Sequence, residues 1–170
     1  MNNNFQFRKL TKEDFESFKN VRLEALEKEP QAFGESLEKM KKKSDLYFQK
    51  SLNKKHQVWY GVFDDEKIVG IGSIKYAKAK KFDHIAHLSG IYVNSEYRGN
   101  GLGRMLFEGR IKEAFANSKI QKLKLIVNVN QLPAINLYKS CGFKIVGEMK
   151  KEFKIGESYH NAFLMELFRN

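Results

Sequence analysis

One cysteine, Cys141, stands in 170 residues. An intrachain disulfide is therefore excluded, as is a zinc site built on paired cysteines, and a reducing compartment fits. Proline is nearly as scarce, at two residues, so the chain has little of the composition that keeps segments open. No window approaches the roughly 18 uninterrupted apolar residues of a membrane span. The opening stretch MNNNFQFRKLTKEDF lacks the apolar centre of a secretory signal. The expectation is a soluble, cytoplasmic protein with no membrane partner. His56, His84, His87 and His160 show no ligand spacing on one helix or turn, so no metal is expected.

What is present is the material of a folded globule: 42% hydrophobic and 13% aromatic residues under a 30% charged surface. The length suits one α/β or α+β domain over residues 1–170, able to bury a core without covalent support. The 31 Lys and Arg exceed the 20 Asp and Glu by 11 charges, which attracts something anionic: nucleic acid, an acidic membrane or a phosphorylated cofactor. The lysine runs KMKKKSD, NKKH and KYAKAKKFDH carry no regular aromatic interleaving of the kind that stacks bases. They read as solvated loops and helix faces, and nucleic acid is a disfavoured partner.

Residues 5–10 alternate as a strand does, and Thr11 offers an N-cap with Glu13 and Asp14 in the first turn of a helix. Phe18, Val21, Ala25 and Leu26 keep one face of that helix apolar until Pro30 ends it. A second helix is expected over residues 44–52. QVWYGVF and IVGIGSIKYA form a hairpin around DDEK, and IAHLSGIYV is a third long strand. A helix over about residues 101–118 carries two adjoining apolar stripes, Leu102, Met105 and Leu106 beside Phe107, Ile111, Ala114 and Phe115, and should be covered on more than one side. KLKLIVNV is a strand, and LPAINLYKSCG a short helix with Pro133 near its first position and Gly142 just past its end. Strands near residues 144–153 and 159–167 close the chain. A right-handed crossover makes strands 85–93 and 122–129 parallel and near one another, and ligands of such sheets bind beyond the carboxyl ends of the strands.

At that place lies NSEYRGNGLGRML, residues 94–106. A helix N-terminus presents unpaired N–H groups and partial positive charge, and glycine lets an anion reach the backbone. Counting from Gly99, a dinucleotide fingerprint and a P-loop both need glycine where Arg104 stands, and both fail. The spacing Arg/Gln-x-x-Gly-x-Gly/Ala fits, through Arg98, Gly101 and Gly103. A glycine-rich turn from strand to helix is the plainer reading of this hexapeptide alone.

With the preceding SGIYV, the downstream NVNQLPAINLYKSCGF and the order of elements, the sequence resembles the GNAT superfamily of acetyl-CoA-dependent N-acetyltransferases over most of its length, least between about residues 34 and 56. The resemblance implies a mixed, strongly twisted central sheet of about seven strands with about four helices, its fourth and fifth strands parallel and splayed around the cofactor. It implies acetyl-CoA as co-substrate, its pyrophosphate held by the backbone of Gly99, Asn100, Gly101, Leu102, Gly103 and Arg104 with Arg98 at the head of the motif. Ile91 and Val93, with Tyr92 between them, would line the pantetheine, and Gly90 is a plausible bulge. Asn130 carries over as a cofactor contact or a cap of the following helix, and Asn136 as a cofactor contact.

The resemblance also makes Tyr138 the general acid, a tyrosine being a proton donor at neutral pH; a buried structural tyrosine is the alternative. Val93 N–H would polarise the carbonyl. The base stays open between His87, which strand alternation puts on one face with Ser89 and Ile91, and a water chain anchored by Ser89. Cys141 has no histidine paired with it by any motif, so direct transfer in a ternary complex is expected. The acceptor is a small-molecule or peptide amine. Glu24, Glu27, Glu29 and Glu35 could line an entrance for it, or form a solvated helix end. A CoA- or nucleic-acid-binding module without catalysis is the rival function, and a C-terminal edge strand could support a homodimer.

Overall fold

The computed structural model describes residues 4–169; residues 1–3 and 170 of the expected domain lie outside the described residues. In chain order it contains β1 (Phe5–Lys9), α1 (Phe15–Lys28), α2 (Leu37–Lys41), α3 (Asp45–Leu52), β2 (Gln57–Asp64), β3 (Lys67–Tyr76), β4 (Ile85–Val93), α4 (Leu102–Ala116), β5 (Lys122–Asn128), α5 (Leu132–Ser140), β6 (Lys144–Ile155) and β7 (Ser158–Phe168). The strands form one mixed sheet in the order β1-β2-β3-β4-β5-β7-β6. Only β4 and β5 are parallel.

Two local expectations shift at the N-terminal end. Thr11 opens a single 3-10 turn, Lys12–Asp14, before α1 starts at Phe15. The Asp14 carboxylate takes the Thr11 N–H at 2.8 Å and both guanidinium nitrogens of Arg8 at 2.8 Å, which favours the tight turn over an immediate α-helix. The five-residue α2, capped by Ser36 Oγ accepting from Lys39 N–H, is an extra helix too short to show apolar periodicity in the sequence.

The sheet is covered on both faces. Leu102, Leu106 and Phe107 of α4 and Ile135 of α5 pack against Val62, Val69, Leu88 and Leu123 on one side. Phe18, Leu26 and Phe48 of α1 and α3 pack against Trp59, Phe63 and Ile71 on the other. Strands β2 and β3 are consequently buried on both sides, which is why they read as nearly continuous apolar runs. On α4 the two expected stripes narrow to one buried line, Leu102, Leu106, Arg110 and Ala114, with Phe107 beside it, and Met105 is exposed.

The C-terminal strand is not an edge. β7 lies between β5 and β6, antiparallel to both, because the β6–β7 hairpin returns the chain into the sheet. The free edge beside it belongs to β6.

His87 of β4 stands in register between Lys75 of β3 and Lys124 of β5. Burial, and then the positive fields of Lys124, Lys75 and Lys122, hold its pKa down at about 4. The folded protein therefore refuses a proton that an unperturbed imidazole accepts at 6.5, and stability is lost as pH falls from about 6.5 towards about 4. Thermal denaturation should show that His87→Gln loses less melting temperature across this window than the wild type; parallel losses would contradict the assignment.

Candidate active site

The ladder between β4 and β5 has three pairs, Ile85 with Lys122, Ala86 with Leu123 and His87 with Lys124. Beyond them the strands part. The cause lies on the other side of β4, where Ser73 pairs with Ser89 and Ile71 pairs with Tyr92. Gly72 alone thus faces both Gly90 and Ile91, a β-bulge that bends the strand. Gly90 adopts φ +66°, and a Cβ there would stand 3.0 Å from the Trp59 ring, so glycine meets both a backbone and a packing demand.

The extra residue changes which side chains share a face. Ala86 and Leu88 join the α4 side before the bulge, Ile91 and Val93 join it after, and Tyr92 joins the α1 side. Ser89 and Ile91 are therefore on opposite faces, because one inserted residue reverses strand parity. Asn94 N–H reaches Val69 O at 2.9 Å on β3. By alternation the Val93 N–H and C=O point the other way, into the gap left by β5. Arg98 Nε already donates to that Val93 carbonyl at 3.0 Å.

The turn after β4 leaves its backbone bare. Gly99 and Gly101 have φ of +82° and +76°, and no protein atom lies within 4 Å of where a Cβ would stand at either. The first α-helical bond is Met105 N–H to Gly101 O at 3.0 Å, leaving the N–H groups of Leu102, Gly103 and Arg104 free at the N-terminus of α4. Gly103 has room for a methyl, with Leu137 Cδ2 at 3.8 Å from a Cβ. The Arg104 side chain turns away to Glu108 and Ser140, each at 2.8 Å, so what Arg104 offers the turn is its backbone.

A cavity of about 420 Å³ fills the gap between β4 and β5. Of the residues singled out in the sequence, Ser89, Tyr92, Val93, Arg98, Asn130 and Tyr138 line it, together with Ile91 and Gly103. Tyr138 stacks on Phe107 with centroids 4.5 Å apart. Burial pushes the Tyr138 phenol up to about 12, against the opposing charge of Arg110, so it is protonated at neutral pH. Ser89 Oγ lies 2.9 Å from Ser73 Oγ, which accepts from Gln57 Nε2 at 3.3 Å.

His87 and Asn136 are not among the lining residues, nor are Gly99, Asn100, Gly101, Leu102 and Arg104 of the turn, which meets the cavity through Arg98 and Gly103. His87 lies below the point where the strands part, and Asn136 lies on the exposed side of α5. Asn128 takes the polar position at the cavity instead, nearly fully buried, its Oδ1 accepting the Asn130 N–H at 3.0 Å. Sequence reasoning also missed Arg110. Its signal was a cation on the apolar line of α4. Glu29 is the one carboxylate lining the cavity among the described residues. It accepts from Arg98 Nη2 at 2.9 Å and from Gln31 Nε2 at 2.7 Å.

The four acids expected near an entrance divide. Glu24 accepts from the Tyr92 hydroxyl at 2.8 Å and from Asn94 Nδ2 at 2.9 Å, tying α1 to the end of β4 and raising the Tyr92 pKa along with burial. Glu27 and Glu35 join Glu38 and Glu152 in a groove of about 740 Å³ between the segment after α1 and the β6–β7 tip. Gln31 and Phe153 line both this groove and the cavity. Glu35 is committed to Arg22 at 2.6 Å.

The comparisons with known proteins agree with this fold. The acetyltransferase (GNAT) family model matches residues 18–143. Spermidine N(1)-acetyltransferase of Escherichia coli (strain K12) is 34% identical over 80 residues, covering 47% of this chain and 43% of that protein. The chain thus spans less than half the length of this relative. An acetyltransferase of the GNAT family from Streptococcus pneumoniae superposes with a TM-score of 0.81 at 25% identity, over 98% of this chain and 100% of the other. The yncA structure from Salmonella typhimurium, solved with its cofactor acetyl-CoA, shares the fold with a TM-score of 0.79 at 16% identity, over 97% and 94% of the two chains. The chain belongs to the acetyltransferase (GNAT) family.

Proposed function

We propose that this chain transfers an acetyl group from acetyl-CoA to a primary amine by direct attack in a ternary complex. The observation that carries the reading is the opening between β4 and β5, where free strand backbone, an anion-ready helix N-terminus and a protonated tyrosine meet in one cavity. The named relatives act on, or are solved with, ligands of this chemistry. A cytosolic donor and a single thiol support a cytoplasmic location.

The residues present fit the cofactor. Gly99 and Gly101 leave the turn backbone bare, and the free N–H groups of Leu102, Gly103 and Arg104 suit a pyrophosphate. Bound acetyl-CoA supplies an acetyl group activated as a thioester. The Val93 N–H, directed into the gap, is placed to donate to an oxygen gaining charge. Tyr138 holds a proton for the sulfur that leaves.

The amine must shed its own proton, since an alkylammonium with a reference pKa of about 10.4 has no lone pair at pH 7. His87, its pKa held down at about 4, is a poor proton acceptor at neutral pH and is absent from the cavity lining, which favours other groups. Glu29 can attract the cationic amine and accept its proton through water, while Ser89, held by the buried Ser73, can order that water. Glu27, Glu38 and Glu152 give the adjoining groove an acidic wall on a strongly basic protein, which suits an acceptor carrying more than one positive charge.

Acetyl-CoA consumption measured over a panel of amines, from polyamines to amino acids and peptide N-termini, tests the reading; no turnover with any amine, despite CoA binding, would leave a binding module. In that assay Tyr138→Phe should lower kcat by about 100-fold or more with little change in acetyl-CoA affinity. Gly101→Glu, which places a side chain and a negative charge at a left-handed position facing the anion, should abolish acetyl-CoA binding in calorimetry. Glu29→Gln should raise KM for a cationic amine by about 10-fold while leaving acetyl-CoA binding equal or tighter, since Arg98 loses a competing carboxylate.

A further inference from the structure

Arg110 is the largest fully buried side chain among the described residues, 1% exposed in the middle of α4. Its Nε donates to Leu106 O at 3.2 Å, one turn back on the helix, and its Nη1 donates at 3.1 Å to Ser73 O on β3 and to Ser89 O on β4. Those two carbonyls belong to the residue pair that borders the bulge on one side. A Cβ at position 72, opposite the bulge, would stand 2.7 Å from Arg110 Cζ, so glycine there leaves room for the guanidinium. The guanidinium therefore occupies the space of a missing side chain and takes up strand carbonyls at the point where the ladder breaks.

Carbonyls alone do not explain a cation in this place. A buried charge is ordinarily paired with an opposite one, yet the partners of Arg110 among the described residues are all carbonyl oxygens, and Nη2 has none. Burial lowers its pKa only to about 10, so it stays charged at neutral pH. Arg110 lines the cavity with Tyr138, and both side chains pack on the Phe107 ring. The uncompensated charge thus faces the volume in which, on the acetyltransferase reading, negative charge must appear.

We propose that Arg110 is a positioning residue with two linked tasks: it pins the Ser89 carbonyl so that β4 stays bent away from β5, and its unpaired charge stabilises the sulfur that departs beside Tyr138. This rests on the acetyl transfer proposed above. In that step the amine nitrogen bonds to the acetyl carbon and the carbon–sulfur bond breaks. Its electron pair goes to sulfur, which takes the Tyr138 proton, while the proton of the amine goes to the base. A neighbouring cation lowers the cost of charge on the sulfur before that proton arrives.

The test is the titration of CoA bound to the full chain, followed by the ultraviolet absorbance of the thiolate, with desulfo-CoA on the same protein as the blank. The thiol of CoA on the wild type should titrate about one pH unit or more below free CoA. Arg110→Gln and Arg110→Met should bring it back towards the free value, and Arg110→Lys should leave it partway. A wild-type thiol that titrates like free CoA overturns the proposal, and so do neutral variants that bind CoA and keep the low value. The wild-type measurement needs no variant to fold. If CoA binds and amines are acetylated while the thiol is unshifted, Arg110 is structural and the acetyltransferase reading stands; if no amine is acetylated, the reading itself fails.

Discussion

A parallel strand pair that stops after three residues is the constraint on which the site depends. In most parallel sheets both strands run on with their backbone groups satisfied by each other. Here β4 is held on its other side by β3, and the extra residue at Gly90–Ile91 makes it bend. Beyond His87 and Lys124 it cannot follow β5. The backbone groups left over cannot stay unpaired in a dry core. Some are taken internally, as Arg98 takes the Val93 carbonyl and Arg110 takes those of Ser73 and Ser89. The Val93 N–H faces the opening, where an extended ligand with amide groups can meet it.

Charge is arranged locally rather than by the net excess of 11 positive charges. Many lysines stand on exposed segments, and exposed charges are screened over about 10 Å at moderate salt. The fields that matter are short-range and partly buried. Gly103 at the bare helix N-terminus, Arg110 and Glu29 all line the cavity, and Gln31, which donates to Glu29, also lines the acidic groove. The Arg98–Glu29 pair at 2.9 Å ties the head of the glycine turn to the segment after α1.

The parts of this site that were legible in the sequence are those made by contiguous residues. Gly99 and Gly101 are glycines because of their own φ values, and the turn, the start of α4 and Tyr138 on α5 follow from local patterns. What was hidden depends on partners distant in the chain. Alternation placed Ser89 with Ile91, and a single bulged residue separated them. His87 lies on the right strand but before the strands part, a point set by the register of β3. Arg110 reads as a surface residue until Gly72, nearly 40 residues away, is seen to leave room for it. The place of β7 between β5 and β6 is non-local in the same way, since strand order is not written in strand pattern.

The contrast between His87 and Arg110 shows how burial selects for chemistry. Both lie close to lysines, strand carbonyls or a cavity without an acidic partner, and burial lowers both pKa values. For the imidazole the drop to about 4 removes the charge at neutral pH, which relieves the cost of its position and leaves a neutral strand residue. The guanidinium starts so much higher that a comparable drop leaves it charged. It cannot escape its burial by releasing a proton, so its position is tolerable only while the surrounding carbonyls share the charge. Any negative charge that forms in the adjoining cavity is then stabilised by a cation that burial has left without a counter-ion.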